Sequence, residues 1–242
     1  MSVEQDDYLW EFDRELKARG LRLPPEIQPR MGLFFYHLQQ KNQQFNLTGY
    51  KSLTEFCDYH LADTLALMRI VDIPDGMALA DVGSGCGVPG LLMKILRPNL
   101  NVTLVEANRK KAWFLKEMAE ILELKADTVI YARAEEVVRS GNWRESMDFA
   151  VARALGPLPV ALELTAGFVR VGGWIVLPRG GKENVEEESQ RMAGELNCRL
   201  ERVVPYELPG LNNPFQVVVY KKVAPLLVKY PRKPGRIRKR PL

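Results

Sequence analysis

Cysteine and histidine are scarce in this chain, with three and two residues, and that scarcity removes whole classes of function. Cys57, Cys86 and Cys198 are odd in number and lack the paired spacing of a zinc site, which argues against a disulfide frame and fits a reducing compartment. His37 and His60 are too few for a histidine-rich centre, so no metal is expected. Apolar runs are short, never reaching the ~18 residues of a membrane span. The first 25 residues carry Glu4, Asp6, Asp7, Glu11, Asp13 and Glu15 where a secretion signal would have a cationic start and an apolar stretch. The expectation is a cytoplasmic chain that neither crosses a membrane nor is exported.

What is present suits one core. At 242 residues, 46% hydrophobic and 26% charged, the chain can fill one globular unit with a small appendage, and two large domains are not expected. Its net charge of +4 is unevenly placed. Residues 221–242 hold Lys221, Lys222, Lys229, Arg232, Lys233, Arg236, Arg238, Lys239 and Arg240 with no acid, so the remainder is net acidic. An acidic body with a cationic end suggests a polyanionic partner, and nucleic acid before membrane because the end has no amphipathic apolar face. The plainer alternative is a solubilising, disordered terminus.

Apolar spacing predicts helices from Asp7 to Leu16, from Ile27 to Phe45, and from Leu53 to Val71 with Thr54 as N-cap, before a turn at Pro74-Asp75-Gly76. Short apolar runs then alternate with helical stretches. Strands are predicted at Ala78 to Val82, Val102 to Val105, Thr128 to Tyr131, Phe149 to Ala152 and Trp174 to Leu177. Helices are predicted at Pro89 to Leu96, Arg109 to Leu124, Leu158 to Phe168 and Glu183 to Leu196. This rhythm implies right-handed parallel crossovers and a doubly wound α/β sheet. Leu200 to Leu208 and Phe215 to Val223 are strand-like, and the few residues between them are too short for a crossover, so an antiparallel hairpin ends the fold. The organisation expected is a helical N-terminal subdomain over 1–75, a sheet domain over 76–223 and a basic tail over 224–242 whose end is disordered.

Asp81-Val82-Gly83-Ser84-Gly85-Cys86-Gly87 carries the most chemistry. Glycines at a sharp strand-to-helix turn let main-chain N–H groups approach a ligand that side chains would otherwise block. Their spacing is G-x-G-x-G with Val88 where the dinucleotide fingerprint needs its third glycine, so a pyrophosphate match fails. Glu106 ends the second strand, where a carboxylate can accept both hydroxyls of a ribose. Ala134-Glu135 follows the third strand at the place of an adenine edge, although Glu135 can equally be a helix-start acid. Arg153 follows the fourth strand, facing the cleft or serving as a structural ion-pair partner. Adenine, ribose, no pyrophosphate glycine and a terminal hairpin fit an S-adenosylmethionine site better than an NAD site.

The run from Asp81 to Gly90 with Glu106, the upstream Asn46-Leu47-Thr48 and His60-Leu61-Ala62-Asp63, Arg153-Ala154, and Lys229-Tyr230-Pro231-Arg232-Lys233-Pro234-Gly235 together resemble the bacterial glucose-inhibited division protein B family. The resemblance covers nearly the whole chain in order. It implies a Rossmann-like S-adenosylmethionine-dependent fold and methylation of N7 of a guanosine in 16S ribosomal RNA, free or in the small subunit. It implies cofactor contacts at Gly83, Val88, Ala134, Glu135 and Arg153, beside Gly85 and Gly87 of the turn, with Glu106 as the ribose acid. Asn46 then either lines the cleft or caps or clamps the helix-to-sheet junction, and with Arg153 is a candidate for orienting the target. Cys86 stands where the family usually has Pro or Ala, Val88 where it has a larger apolar residue, and Leu177-Pro178-Arg179-Gly180-Gly181 where it often has a Leu-Lys-Gly turn.

Other groups have plainer roles. Cys86 reads as a small apolar filler, and His60 with Asp63 as a hydrogen-bonded pair on one helix face. No Asn/Asp-Pro-Pro-aromatic turn follows the fourth strand and no cysteine lies near it, which disfavours exocyclic amines and pyrimidine carbon 5 as targets. The resemblance implies that Arg179 or Lys182 takes the place of a family lysine in holding RNA, and from the tail RNA phosphates are expected to meet Lys229, Arg232, Lys233, Arg236, Arg238, Lys239 and Arg240, with little bearing on the cofactor. A monomer is expected. The competing readings are a methyltransferase acting on another RNA atom or a small molecule, a ribosome-assembly RNA-binding protein with a vestigial pocket, and, more distantly, an NAD-dependent oxidoreductase.

Overall fold

The computed structural model describes residues 3–124, 128–181, 186–208 and 214–242. Ala78–Val82 (β1), apolar except for Asp81 and buried along nearly its whole length, has the composition of a strand covered on both faces. It pairs in parallel with Asn101–Glu106 (β2) on one side and Met147–Val151 (β4) on the other. Thr128–Tyr131 (β3) extends the sheet from β2, and Val169–Gly180 (β5) from β4. Phe215–Lys222 (β7) then inserts antiparallel between β5 and Cys198–Tyr206 (β6), giving the order β3-β2-β1-β4-β5-β7-β6. This is the Rossmann-like sheet with a terminal hairpin that the alternation predicts; the hairpin's connecting residues 209–213 lie outside the described residues.

Alternate residues of each strand face opposite sides, so the sheet has two cores. Leu79, Val151 and Val219 join one cluster, with Phe12, Phe34, Phe56, Leu92 and Phe114. That side carries Val3–Ala18 (α1), Gln28–Phe45 (α2), Leu53–Phe56 (α3), Ala62–Ile70 (α4), Gly90–Leu96 (α5) and Arg109–Ile121 (α6). The N-terminal helices therefore share a core with the sheet. Ala80, Ala150 and Tyr220 join the second cluster, which packs beneath Ala134–Arg139 (α7), Leu158–Ala166 (α8), Glu186–Glu195 (α9) and Pro234–Lys239 (α10).

Local structure departs from expectation in three places. The helix predicted from Leu53 to Val71 is capped by Ser52, not Thr54: Glu55 N–H donates to Ser52 Oγ at 3.2 Å while Glu55 Oε2 accepts Ser52 N–H at 3.0 Å. A π-helical turn at Cys57–Leu61 then interrupts it, a feature with no sequence signature. Strand β5 begins before Gly172-Gly173, because Val169 pairs with Met147 and a register shift absorbs the glycines.

The tail is the third departure, being docked where disorder is expected. Tyr230 and Ile237 are buried in the second cluster, and the Tyr230 hydroxyl donates to Glu195 at 2.6 Å. Arg144 donates to the carbonyls of Leu226 and Tyr230 at 2.7 and 2.9 Å, and Arg139 to that of Pro231 at 2.7 Å. Glu163, fully buried on α8, accepts from the Arg232 main chain at 2.8 Å and from its guanidinium Nε at 2.9 Å. Lys222, also fully buried, meets Glu145 at 2.9 Å. Of the nine cations in residues 221–242, Lys222 is thus buried in β7 and Arg232 is bound to a buried carboxylate. Arg232→Ala leaves Glu163 buried without its partner and is expected to cost about 3–5 kcal/mol. Denaturant melts check this, and an unchanged midpoint contradicts the anchoring role.

Candidate functional site

Strand order reverses between β1 and β4, and a crevice opens at their carboxyl ends, as it must in an open α/β sheet. The glycine turn after β1 is held to β2 by Gly83 and Ser84 N–H groups, which donate to the Val105 carbonyl at 2.8 and 3.1 Å. Gly83 has φ 76°, and a Cβ there would lie 2.4 Å from the Leu155 side chain, so only glycine permits this close approach. At Gly85, φ 59°, an added Cβ would meet nothing nearer than a carbonyl oxygen at 3.8 Å, so the turn leaves open space beside its backbone.

Gly87 behaves differently from expectation. A Cβ there would come within 2.9 Å of Leu91 and 3.2 Å of Leu115, which assigns Gly87 to packing of the turn on the core and not to the cleft wall. Val88 and Cys86 do line the cleft. Burial pushes the Cys86 thiol up to about 11, so it stays protonated near neutral pH and fills space, as the sequence suggests.

Glu106 forms part of the lining of a cleft of about 470 Å³. Its Oε2 accepts Gly85 N–H at 2.8 Å and its Oε1 accepts Asn108 N–H at 2.6 Å. Each oxygen keeps a lone pair for a further donor. Ala134 and Glu135, in the first turn of α7, line the cleft too, with Arg133 Nε donating to Glu135 Oε1 at 2.9 Å. Glu135 is thus both a helix-start acid and a cleft residue. Pro234 and Ile237 of α10 complete the lining. The tail therefore bears on this cleft directly, contrary to the expectation that it serves RNA alone.

Arg153 sits just beyond β4 and draws the N-terminal helices to the sheet. Its Nε pairs with Asp63 at 2.9 Å, its Nη1 donates to His60 Nδ1 at 3.0 Å, and its Nη2 donates to the Tyr59 carbonyl at 2.7 Å. The expected His60–Asp63 pair is corrected by this arrangement: both groups lie on the π turn and the start of α4, and both bind Arg153 instead of each other. With Nδ1 accepting, the neutral imidazole carries its proton on Nε2, which donates to Thr48 Oγ1 at 3.2 Å. The Tyr206 hydroxyl donates to the second Asp63 oxygen.

Arg153 and Ala154 also line a second chamber of about 330 Å³, with Asp63, Tyr206 and Phe215. The Tyr206 and Phe215 rings lie 5.6 Å apart, centroid to centroid. Sequence reasoning missed this pair, because in a hairpin strand an aromatic residue reads as sheet packing. Of the two roles open to Asn46, the structure gives the cap and not the cleft: it ends α2 with φ 50° and is exposed, while its neighbours Leu47 and Thr48 reach the cleft. Arg179 lines the second chamber and donates to the Gly156 carbonyl at 2.6 Å. Lys182 lies outside the described residues, as does the side chain of Arg238. Lys229, Lys233, Arg236, Lys239 and Arg240 are exposed on the tail. Among the described residues, no group of three or more His, Cys, Asp or Glu could hold a metal ion, and no helix is long and apolar enough to cross a membrane.

Residues 27–216 match the family model described as rRNA small subunit methyltransferase G. A ribosomal RNA small subunit methyltransferase G from Acetivibrio thermocellus is 37% identical over 240 residues, covering 95% of this chain and 99% of the relative. Its counterpart from Caldanaerobacter subterraneus is 36% identical, covering 86% and 87%. In fold, a SAM-dependent methyltransferase from Aquifex aeolicus superposes with a TM-score of 0.54 at 16% identity, over 76% of this chain and 98% of that one. M. jannaschii TYW2, solved in complex with AdoMet, gives 0.53 at 16% identity over 68% and 78%.

Burial, with the Arg153 charge beside it, pushes His60 down to about 3 from an ordinary 6.5. A depressed base adds stability that is full above pH 6.5 and is lost as pH falls toward 3. His60→Asn is therefore expected to cost about 1–3 kcal/mol near neutral pH, and the gap from the unsubstituted chain to narrow on acidification to pH ~4. Melting curves across that range check it; a gap independent of pH contradicts the buried neutral imidazole.

Proposed function

The chain belongs to the rRNA small subunit methyltransferase G family and is a methyltransferase of small-subunit ribosomal RNA; we propose that S-adenosylmethionine occupies the cleft beside β1 and that N7 of a guanosine, presented from the adjoining chamber, takes its methyl group. The observation that carries this reading is the junction of the two chambers, one holding the open glycine turn and Glu106, the other two aromatic rings, with Arg153 and Ala154 common to both.

The cleft suits that donor. The vacant side of Gly85 gives a ligand access to main chain, and the free lone pairs of Glu106 suit the two hydroxyls of a ribose. Ala134 and Glu135 would border the adenine, and Gly83, Val88 and Ile237 the rest of the molecule. The bound cofactor supplies a methyl group activated on a sulfonium.

The chain's own residues then need to do little proton chemistry. Guanine N7 has an in-plane lone pair and no proton to lose. At the junction, His60 Nδ1 is taken by Arg153, and Asp63 by Arg153 and Tyr206, so neither stands ready as a base. A protonated, buried Cys86 does not support a covalent route. What remains is orientation and exclusion of water, for which unpaired target bases suit the aromatic chamber. In this proposal the chain works as a monomer in the cytoplasm, on 16S ribosomal RNA or the small subunit. Residues 1–75 cover the junction, 76–223 bind the donor, and 224–242 close the cleft while Lys229, Lys233, Arg236, Lys239 and Arg240 meet phosphates near its mouth.

S-adenosylhomocysteine is expected to raise the melting temperature while NAD does not. Glu106→Ala is expected to weaken that ligand by about tenfold to a hundredfold, the loss of a charge-assisted hydrogen bond. Thermal shift and calorimetric titration read both. Stabilisation by NAD alone, or equal affinity in the variant, overturns the assignment of the cleft.

A further inference from the structure

A groove of about 540 Å³ lies against the start of α6, lined by Phe45, Arg109, Lys110, Trp113, Lys116 and Tyr131. Trp113 and Tyr131 are 50% and 54% exposed. Single exposed aromatics are ordinary on a protein surface, but here they gather beside three cations. Phe45 and Trp113 meet edge to face at 6.3 Å, and Lys110 and Lys41 sit over their rings at 5.3 and 4.5 Å. Lys41 is ion-paired with Glu117 at 3.1 Å, whereas Arg109, Lys110 and Lys116 have no carboxylate partner among the described residues. The groove's lining holds no acid.

Its position ties it to the active cleft. Ala107 and Lys111 line the cleft, and Arg109, Lys110 and Ala112 line the groove, so the first turn of α6 separates the two. We propose that this groove binds a single-stranded stretch of the substrate RNA flanking the target, with a base stacked on Trp113 and phosphates on Arg109, Lys110 and Lys116. The inference rests on the function above and adds a second RNA contact, separate from the tail. Aromatic faces interleaved with unopposed cations match stacked bases on a polyanionic backbone. An apolar protein partner would be poorly served by three cations with no acid to balance them.

The test compares the unsubstituted chain with Trp113→Ala, Trp113→Phe and the double variant Lys110→Ala/Lys116→Ala, binding a protein-free fragment of small-subunit ribosomal RNA over a salt series. S-adenosylhomocysteine affinity and melting temperature are followed in parallel. Trp113→Ala is expected to weaken RNA binding about fivefold to a hundredfold, and Trp113→Phe to retain most of it. The double variant is expected to flatten the slope of log affinity against log salt by about 1.4. Affinity for S-adenosylhomocysteine is expected to stay unchanged in all three. If the unsubstituted chain binds RNA and the variants match it, the groove proposal fails alone. It also fails if the variants lose binding only to assembled subunits, which would place a protein there. If the unsubstituted chain binds neither the protein-free fragment nor assembled small subunits, the functional reading fails with it.

Discussion

A guanidinium brought to the edge of a sheet beneath other elements is stable only when its donors are met, because an unmatched buried charge costs several kcal/mol. Arg153 meets that condition with partners drawn from one short stretch of the N-terminal helices: the Tyr59 carbonyl, the His60 imidazole and the Asp63 carboxylate. This constraint decides where residues 1–75 sit, since a π turn must present Tyr59 and His60 while the first turn of α4 presents Asp63. It also fixes the wall between the chambers. Ala154, next in sequence, takes φ 54° and turns the chain so that both residues face both spaces.

The same logic of buried charge extends to the other end of the chain. Glu163 on α8 cannot be buried alone, and the Arg232 side chain and main chain satisfy it. That pairing carries α10 to the cleft, where Ile237 becomes part of the lining. A segment rich in cations is thereby joined mechanically to the space assigned to the donor.

The sheet was legible because its signals are local and periodic. Short buried runs alternating with helices set the parallel order, and too few residues between the last two strands forced a hairpin. Gly83, Gly85 and Glu106 were legible for a related reason, since a glycine turn after one strand and an acid ending the next are fixed by the geometry of a single crossover. What could not be read depends on partners far away in sequence. The tail looks disordered by composition, and distant partners such as Glu163, Glu195, Arg139 and Arg144 make it otherwise. Gly87 belongs to the same glycine run as Gly85, yet its direction depends on Leu115 of α6. His60 and Asp63 have the spacing of a pair, but a distant arginine takes both. For Asn46 the sequence left cap and cleft open together, and the left-handed backbone at the end of α2 decides for the cap.

In the proposed function these features make a methyl-transfer site governed by placement, in which Arg153 holds the two chambers in register. The most direct measurement locates the methyl group on small-subunit ribosomal RNA after a single turnover with labelled S-adenosylmethionine, by chemical cleavage specific for N7-methylguanine. The account predicts label at guanine N7 with the unsubstituted chain, and loss of transfer with Arg153→Lys under conditions where that variant still binds S-adenosylhomocysteine. Label on an exocyclic nitrogen or a ribose hydroxyl, or full transfer by the variant, would contradict it.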